Sequence, residues 1–332
     1  MTRNLLTDVP GIAVGNATDP RLMSGVTVVL PDRAVAASVD VRGGGPATAE
    51  TDLLAPSATV PQVDAIVLSG GSAFGLDARG GVVSALASMG RGFAVGSARV
   101  PIVPAASLFD LVNGGDKNWG DMPPYFDLGR QAVAAAGPSF ELGNAGAGTG
   151  GKAGALKGGL GSASWTLPDG VVVGALVAVN AMGSAVLPGT GGRFRAWMLE
   201  RGAEFGGLTP PTSPLADLDD TEGASDVPAG SNTTLAVVAT SAGLSKADCH
   251  RMAVMAQDGL AVALRPVHSP LDGDSVFAVA TAQHPAPDMN GLTRIGRAAA
   301  DCVARAVARA VWHGESLGVY PSWRAQYGLS QY

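Results

Sequence analysis

Two uninterrupted apolar runs, Val171 to Val179 and Leu235 to Thr240, limit what this chain can fold into more than any other feature. A strand with one wet face alternates apolar and polar residues; these do not alternate, so both of their faces must be covered. Val26 to Leu30, Ala65 to Leu68 and Ser275 to Thr281 are further β-branched runs that read as strands. Helical patterns stand beside them. Leu292 to Trp312 places Leu292, Ile295, Ala299, Cys302, Val303, Ala306, Val307 and Ala310 on one face. A second pattern starts from a Ser245 N-cap and runs through Met252, Met255 and Leu260, and a third spans Leu76 to Met89 behind a glycine-rich turn. Buried strands alternating with amphipathic helices define a layered α/β protein. The 47 glycines among 332 residues supply its tight turns and close contacts.

Composition removes several function classes. The net charge of −6 comes with no basic block, so no surface is available to neutralise a nucleic acid backbone. Met1 to Pro10 has no basic region followed by an apolar run, and Arg297, Asp301, Arg305 and Arg309 interrupt the most apolar late stretch. No secretory signal or membrane helix is expected, which predicts a soluble, cytoplasmic protein. Cys249 and Cys302 fall on helical patterns and read as small buried hydrophobes. The four histidines show no ligand spacing, so neither a metal nor another cofactor is expected.

One segment differs sharply from the rest. From about residue 206 to residue 232 the chain carries Pro210, Pro211, Pro214 and Pro228 among Asp217, Asp219, Asp220, Glu222 and Asp226, and reads as a solvated linker. It ends at Ser231-Asn232-Thr233-Thr234, directly ahead of the apolar run Leu235 to Thr240. A threonine hydroxyl held against the preceding carbonyl can attack it, shift the acyl group from nitrogen to oxygen, and leave an ester for water to hydrolyse. The freed α-amine then serves as general base for the same hydroxyl, because its ordinary pKa lies at about 7.7 to 8. Taken alone, Asn232-Thr233 reads more readily as a polar turn capping a strand.

Two local motifs compete for attention. Gly146 to Lys152 satisfies the GxxxxGK part of a phosphate-binding loop, yet Ala153 stands where a magnesium-binding Ser or Thr is required. Leu68-Ser69-Gly70-Gly71-Ser72 echoes a transporter-ATPase signature but precedes that loop instead of following it. A nucleotide-binding protein is therefore the weaker alternative.

Taken together, Asp40 to Pro46, Leu68 to Asp77, Gly146 to Lys152, Val179-Asn180, Asn232-Thr233-Thr234 and Asp272-Gly273-Asp274 resemble the L-aminopeptidase/D-esterase family, over nearly the whole chain and in the expected order. That family of self-processing N-terminal-nucleophile hydrolases includes the β-peptidyl aminopeptidases and the nylon-oligomer endohydrolases. The resemblance implies a four-layer αββα sandwich built from one hydrolase domain over 1–332. It also implies self-cleavage between Asn232 and Thr233 into fragments 1–232 and 233–332, with Thr233 as the nucleophile. Lys152 matches the family's catalytic lysine and Asn180 its active-site asparagine. Asp272 and Asp274 match its acidic loop, with the task of orienting the nucleophile and anchoring a substrate ammonium. Ser69, Gly70 and Gly71 form a turn whose amides are candidates to face the site. Phe109, ahead of Asp110, stands where the nylon-oligomer branch has a tyrosine, and Tyr125 is the nearby candidate to replace that hydroxyl.

The expectation is thus an amide hydrolase acting on small peptides, as an aminopeptidase, or on ω-amino-acid oligomers such as those of 6-aminohexanoate. An acyltransferase of the N-acetylornithine/glutamate type, with the same threonine nucleophile, is the other alternative. The resemblance further implies a homotetramer or larger assembly.

Overall fold

Two five-stranded sheets lie face to face in the computed structural model of the chain, which describes residues 2–208 and 232–328. The first sheet has the order β1 (Ile12–Asp19), β2 (Ser24–Pro31), β5 (Ile66–Ser69), β8 (Ala105–Ser107) and β4 (Ala47–Ala49). The second runs β11 (Gly159–Thr166), β12 (Val172–Asn180), β13 (Thr233–Ala242), β14 (Ser275–His284) and β3 (Ala36–Val41). Two small hairpins, β6 (Phe93–Val95) with β7 (Ala98–Val100) and β9 (Lys152–Ala153) with β10 (Leu156–Lys157), complete the strands.

The continuous apolar strands are explained by what covers them. In β13, Leu235, Val237 and Ala239 face Val14, Val29, Ile66 and Leu68 of the first sheet. Ala236 and Val238, on the opposite face, meet α4 (Lys246–Ala263) and α5 (Met289–His313) through Met252, Ala256, Val303 and Val307. On the outside of the first sheet, Val26, Val28 and Val67 pack on Val82 and Leu86 of α2 (Ala78–Ser88) and on Leu128 and Ala132 of α3 (Tyr125–Ala134). The layers are therefore α2/α3, sheet, sheet, α4/α5, the expected αββα sandwich. Each large aliphatic side chain so buried contributes about 1.5–3 kcal/mol.

Local signals set the helix ends. Ser245 caps α4 by accepting the Asp248 amide at 3.1 Å, and Asp288 caps α5 through the Gly291 amide at 2.7 Å. The predicted Leu76 to Met89 helix is α2, shorter by one or two residues at each end. A short α1 (Ser72–Gly75) precedes it, entered through the glycine-rich turn, where Gly71 stands at φ +86° and Ser72, the first residue of α1, at φ +53°. β11 escaped the sequence reading because its residues are small. A Cβ on Gly161 would lie 1.9 Å from the Ala306 carbonyl oxygen, so α5 presses directly on the strand backbone.

The predicted linker falls mostly outside the described residues, but Leu208 near its start is packed. Leu208 is buried with Phe205 and Phe194 in the core beneath α4 and α5. Nearby, Glu204 forms a buried fork with Arg305, at 2.6 Å to Nε and 2.9 Å to Nη2. Arg305 and Arg309 therefore do not lie on a wet helix face: Arg305 also donates to the Ser164 carbonyl and Arg309 to the Ser162 carbonyl. Cys249 and Cys302 are buried free thiols, and burial pushes both up to about 12. No helix among the described residues is long and apolar enough to cross a membrane. No cluster of metal-ligating residues occurs among them either.

Candidate active site

Thr233 opens β13, the central strand of the second sheet, beside the Asp272–Asp274 loop. Its hydroxyl donates to the carbonyl oxygen of Asn232, the bond at which the sequence predicts cleavage. The amide of Gly273 donates to the same oxygen at 3.0 Å. Both groups are withdrawn from solvent, with Asn232 at 0% and Thr233 at 2% exposure, so this polarisation is not diluted by water. Gly273 is required here: a Cβ on it would stand 2.7 Å from both the Thr233 hydroxyl and the Gly45 carbonyl oxygen.

The acidic loop holds the strand on the far side of Thr233. Asp274 Oδ1 accepts the Thr234 amide at 2.7 Å, and its Oδ2 accepts the His268 amide at 3.0 Å and lies 2.8 Å from His268 Nδ1. Asp272 Oδ1 accepts the Met182 amide at 3.2 Å, and its Oδ2 accepts the Ser269 hydroxyl at 2.5 Å. Each carboxylate oxygen of the pair thus has an internal donor, and both side chains are buried. The glycine run of the Asp40 to Pro46 motif buttresses this loop, with the Gly43 amide on the Asp274 carbonyl oxygen and the Gly45 amide on that of Asp272.

Asn180 ends β12 directly opposite Thr233 in the antiparallel register. Its Oδ1 accepts the Lys152 amide at 3.2 Å and its Nδ2 donates to the Phe109 carbonyl at 2.8 Å. Phe109 thus enters the site through its main chain, which the change from tyrosine leaves intact. Lys152 is half-buried on β9. Burial pulls its ammonium below the ordinary lysine range, and the Asp272 carboxylate pulls it partly back. Asp272 is itself raised, first by burial and then by Asp274.

The remaining candidates form the wall behind these groups. Within the turn, the Gly70 amide donates to the Gly25 carbonyl and the Gly71 amide to Asp110 Oδ1 at 2.8 Å, while the Ser69 hydroxyl donates to the Gly70 carbonyl. Its amides are engaged inside the fold. Tyr125 is fully buried beneath Gly71 with its hydroxyl 3.1 Å from that of Ser24, and burial raises it far above the ordinary tyrosine value. The Gly146 to Lys152 loop is enclosed as well. Its Gly146 and Ala147 amides donate to the hydroxyls of Thr18 and Thr27, so they form no open phosphate cradle.

A family model described as peptidase family S58 matches residues 4–321. The chain belongs to peptidase family S58. As a family member it is an amide-bond hydrolase, and neither an acyltransferase nor a nucleotide-binding role finds support among its relatives. An uncharacterized aminopeptidase of Mycobacterium tuberculosis is 45% identical over 97% of both chains. A 6-aminohexanoate-oligomer endohydrolase of Kocuria is 28% identical over 90% of this chain and 80% of its own. Two solved structures share the fold. A Burkholderia β-aminopeptidase covers 98% of this chain and 92% of its own, with a TM-score of 0.71 at 24% identity. The L-aminopeptidase D-Ala-esterase/amidase of Ochrobactrum anthropi, described as a variant of the Ntn hydrolase fold, covers 95% and 87%, with a TM-score of 0.67 at 21% identity.

Sequence reasoning passed over two residues that line this candidate site. Gly273 was visible only as the middle of an acidic turn, and His268 lacked any ligand spacing. The proximity of both to Thr233 arises from the parallel pairing of β13 with β14, which has no local signature.

Proposed function

We propose that the chain cleaves itself between Asn232 and Thr233 and then uses Thr233 to hydrolyse the amide bonds of short linear substrates. The observation that carries this reading is the convergence on one carbonyl. The Asn232 oxygen is held by the Gly273 amide while the Thr233 hydroxyl rests against it. In maturation the hydroxyl adds to the Asn232 carbonyl carbon and the Gly273 amide stabilises the oxygen as charge builds on it. The carbon–nitrogen bond to Thr233 breaks, the amine takes the proton, and water hydrolyses the resulting ester to free the carboxyl group of Asn232.

In turnover the same hydroxyl attacks the substrate carbonyl and the Thr233 amine takes its proton, then passes it to the leaving amine. Asn180, opposite the nucleophile, supplies an amide donor to the reacting oxygen. Lys152 keeps the Thr233 amine unprotonated by like-charge proximity, with the Asp272 carboxylate opposing the burial that disfavours its charged form. Asp272 and Asp274 act on the backbone around the nucleophile.

Substrates are peptides with a free N-terminus, as the name of the mycobacterial relatives suggests, or ω-amino-acid oligomers, as the name of the Kocuria relative suggests. The Asn-Thr junction keeps the second class open. The two buried free thiols suit a reducing cytoplasm. The exposed Phe93, Val95 and Val100 of the β6–β7 hairpin suit a homo-oligomer of four or more subunits. The test is hydrolysis by the purified chain of amino-acid p-nitroanilides and of linear 6-aminohexanoate oligomers, with N-terminal sequencing of the protein. Turnover of either class together with a sequence beginning Thr-Thr-Leu is expected. An intact N-terminus alone and no hydrolysis of either class would overturn the reading.

A further inference from the structure

His268 has no part in the motifs that drew attention to this site, yet it meets Asp274 twice. Its backbone amide and its ring Nδ1 both reach Asp274 Oδ2, at 3.0 and 2.8 Å, while Asp274 Oδ1 accepts the Thr234 amide at 2.7 Å. An accepting carboxylate oxygen requires hydrogens on its partners, so Nδ1 is the protonated nitrogen. The other ring nitrogen, Nε2, is buried without a partner among the described residues, so the one polar contact recorded for the ring is the one to Asp274. The arrangement carries a backbone cost as well. His268 stands at φ +53°, a conformation that non-glycine residues seldom adopt and that persists where surrounding contacts enforce it.

We propose that His268 is a positioning residue: through Asp274 it fixes the peptide between Thr233 and Thr234 and so sets the angle at which the nucleophile meets its carbonyl. The proposal rests on the reading of Thr233 as nucleophile. Without the imidazole, Asp274 keeps the Thr234 amide on Oδ1 and the His268 amide on Oδ2 but loses its second Oδ2 donor, so the carboxylate is held less firmly and the Thr234 amide moves with it. The Thr233 hydroxyl and amine shift by the same movement. Displacements of this size act on kcat more than on KM, because binding surfaces remain while the attack geometry is lost.

Asn and Asp at 268 form a nearly isosteric pair, and both tolerate positive φ. Asn places an amide hydrogen where the ring presented Nδ1–H; Asp offers no donor there and adds like charge. The experiment measures the half-life of self-cleavage, together with kcat and KM, for wild type, His268→Asn and His268→Asp, with unfolding midpoints recorded alongside. His268→Ala carries the same comparison if the Asp variant fails to fold. We expect His268→Asn to stay within about threefold of wild type and His268→Asp to lose roughly tenfold or more in both self-cleavage and kcat, with KM nearly unchanged. A donor-free variant that folds, processes and turns over like His268→Asn overturns this proposal alone. A wild type that never processes overturns the Thr233 reading and this proposal with it.

Discussion

Asn180 and Thr233 stand opposite one another across β12 and β13, the last residue of one strand paired with the first of the next. That register ties Thr233 to an amide whose two ends are fixed by Lys152 and Phe109. Replacing Asn180 with Ala removes both links and the donor facing the reaction. Loss of about 10²–10³-fold in kcat is expected, the size seen when one oxyanion donor is deleted. Steady-state kinetics on the Asn180→Ala protein, with its unfolding midpoint recorded, separates this from a loss of fold.

Gly273 gives a second test at the same carbonyl. A methyl group there would crowd the Thr233 hydroxyl and Gly45. Gly273→Ala should slow self-cleavage by roughly tenfold or more, through displacement of the nucleophile. The time course of fragment appearance on denaturing gels measures it, and cleavage at the wild-type rate would contradict the assigned role.

Glu204 belongs to the N-terminal fragment and Arg305 to the C-terminal one, so their buried fork bridges the two pieces that cleavage would create. Neutralising Glu204 leaves a buried guanidinium without its counter-charge, which costs about 3–5 kcal/mol. Glu204→Gln should therefore lower the denaturation midpoint. Hydrogen bonds to Arg305 and Asn4 and the charges of Arg305 and Arg309 outweigh the burial of Glu204 and hold its carboxyl below the ordinary value. The stability it contributes is present above the ordinary glutamate pKa and is lost as pH falls through the lowered one. Acid titration of stability in wild type and Glu204→Gln should diverge above that window and converge below it.

Lys157 lies fully buried behind the site, with Nζ 3.1 Å from the Gly148 carbonyl oxygen, and burial brings it down to about 7 despite the charge of Asp110. Between that value and the ordinary lysine pKa the unfolded chain binds a proton that the native chain lacks. Stability contributed by this site should then rise with pH across the window, by up to about 1.4 kcal/mol per unit. Comparing wild type with Lys157→Met at pH 7 and pH 9 isolates it: the wild-type gain over the variant should grow with pH, and parallel behaviour would contradict the assignment.

The strands that pack on both faces were legible because nothing but burial explains runs such as Val171 to Val179, most of which forms β12, and Leu235 to Ala239 of β13. The helices α4 and α5 were legible from period and caps. What escaped were strands made of small residues: β1 and β11 carry Gly15 and Gly161, where a Cβ would collide with the Ala132 and Ala306 carbonyls of the covering helices. There the close approach of a helix removed the very side chains that mark a strand. In the site, Thr233, Lys152, Asn180, Asp272 and Asp274 came from the family resemblance and are brought together by the fold. The amides of Ser69 to Gly71 were expected to face the site, yet they are committed to Gly25, Asp110 and neighbouring carbonyls, because a turn this tight must satisfy its own backbone.

Denaturing mass spectrometry of wild type beside Thr233→Ala and Thr233→Ser tests the central claim most directly. Wild type should split into fragments 1–232 and 233–332, Thr233→Ser should split as well, and Thr233→Ala should remain at 33.1 kDa without amidase activity. A wild type that stays whole, or a Thr233→Ala protein that cleaves and turns over substrate, would contradict it.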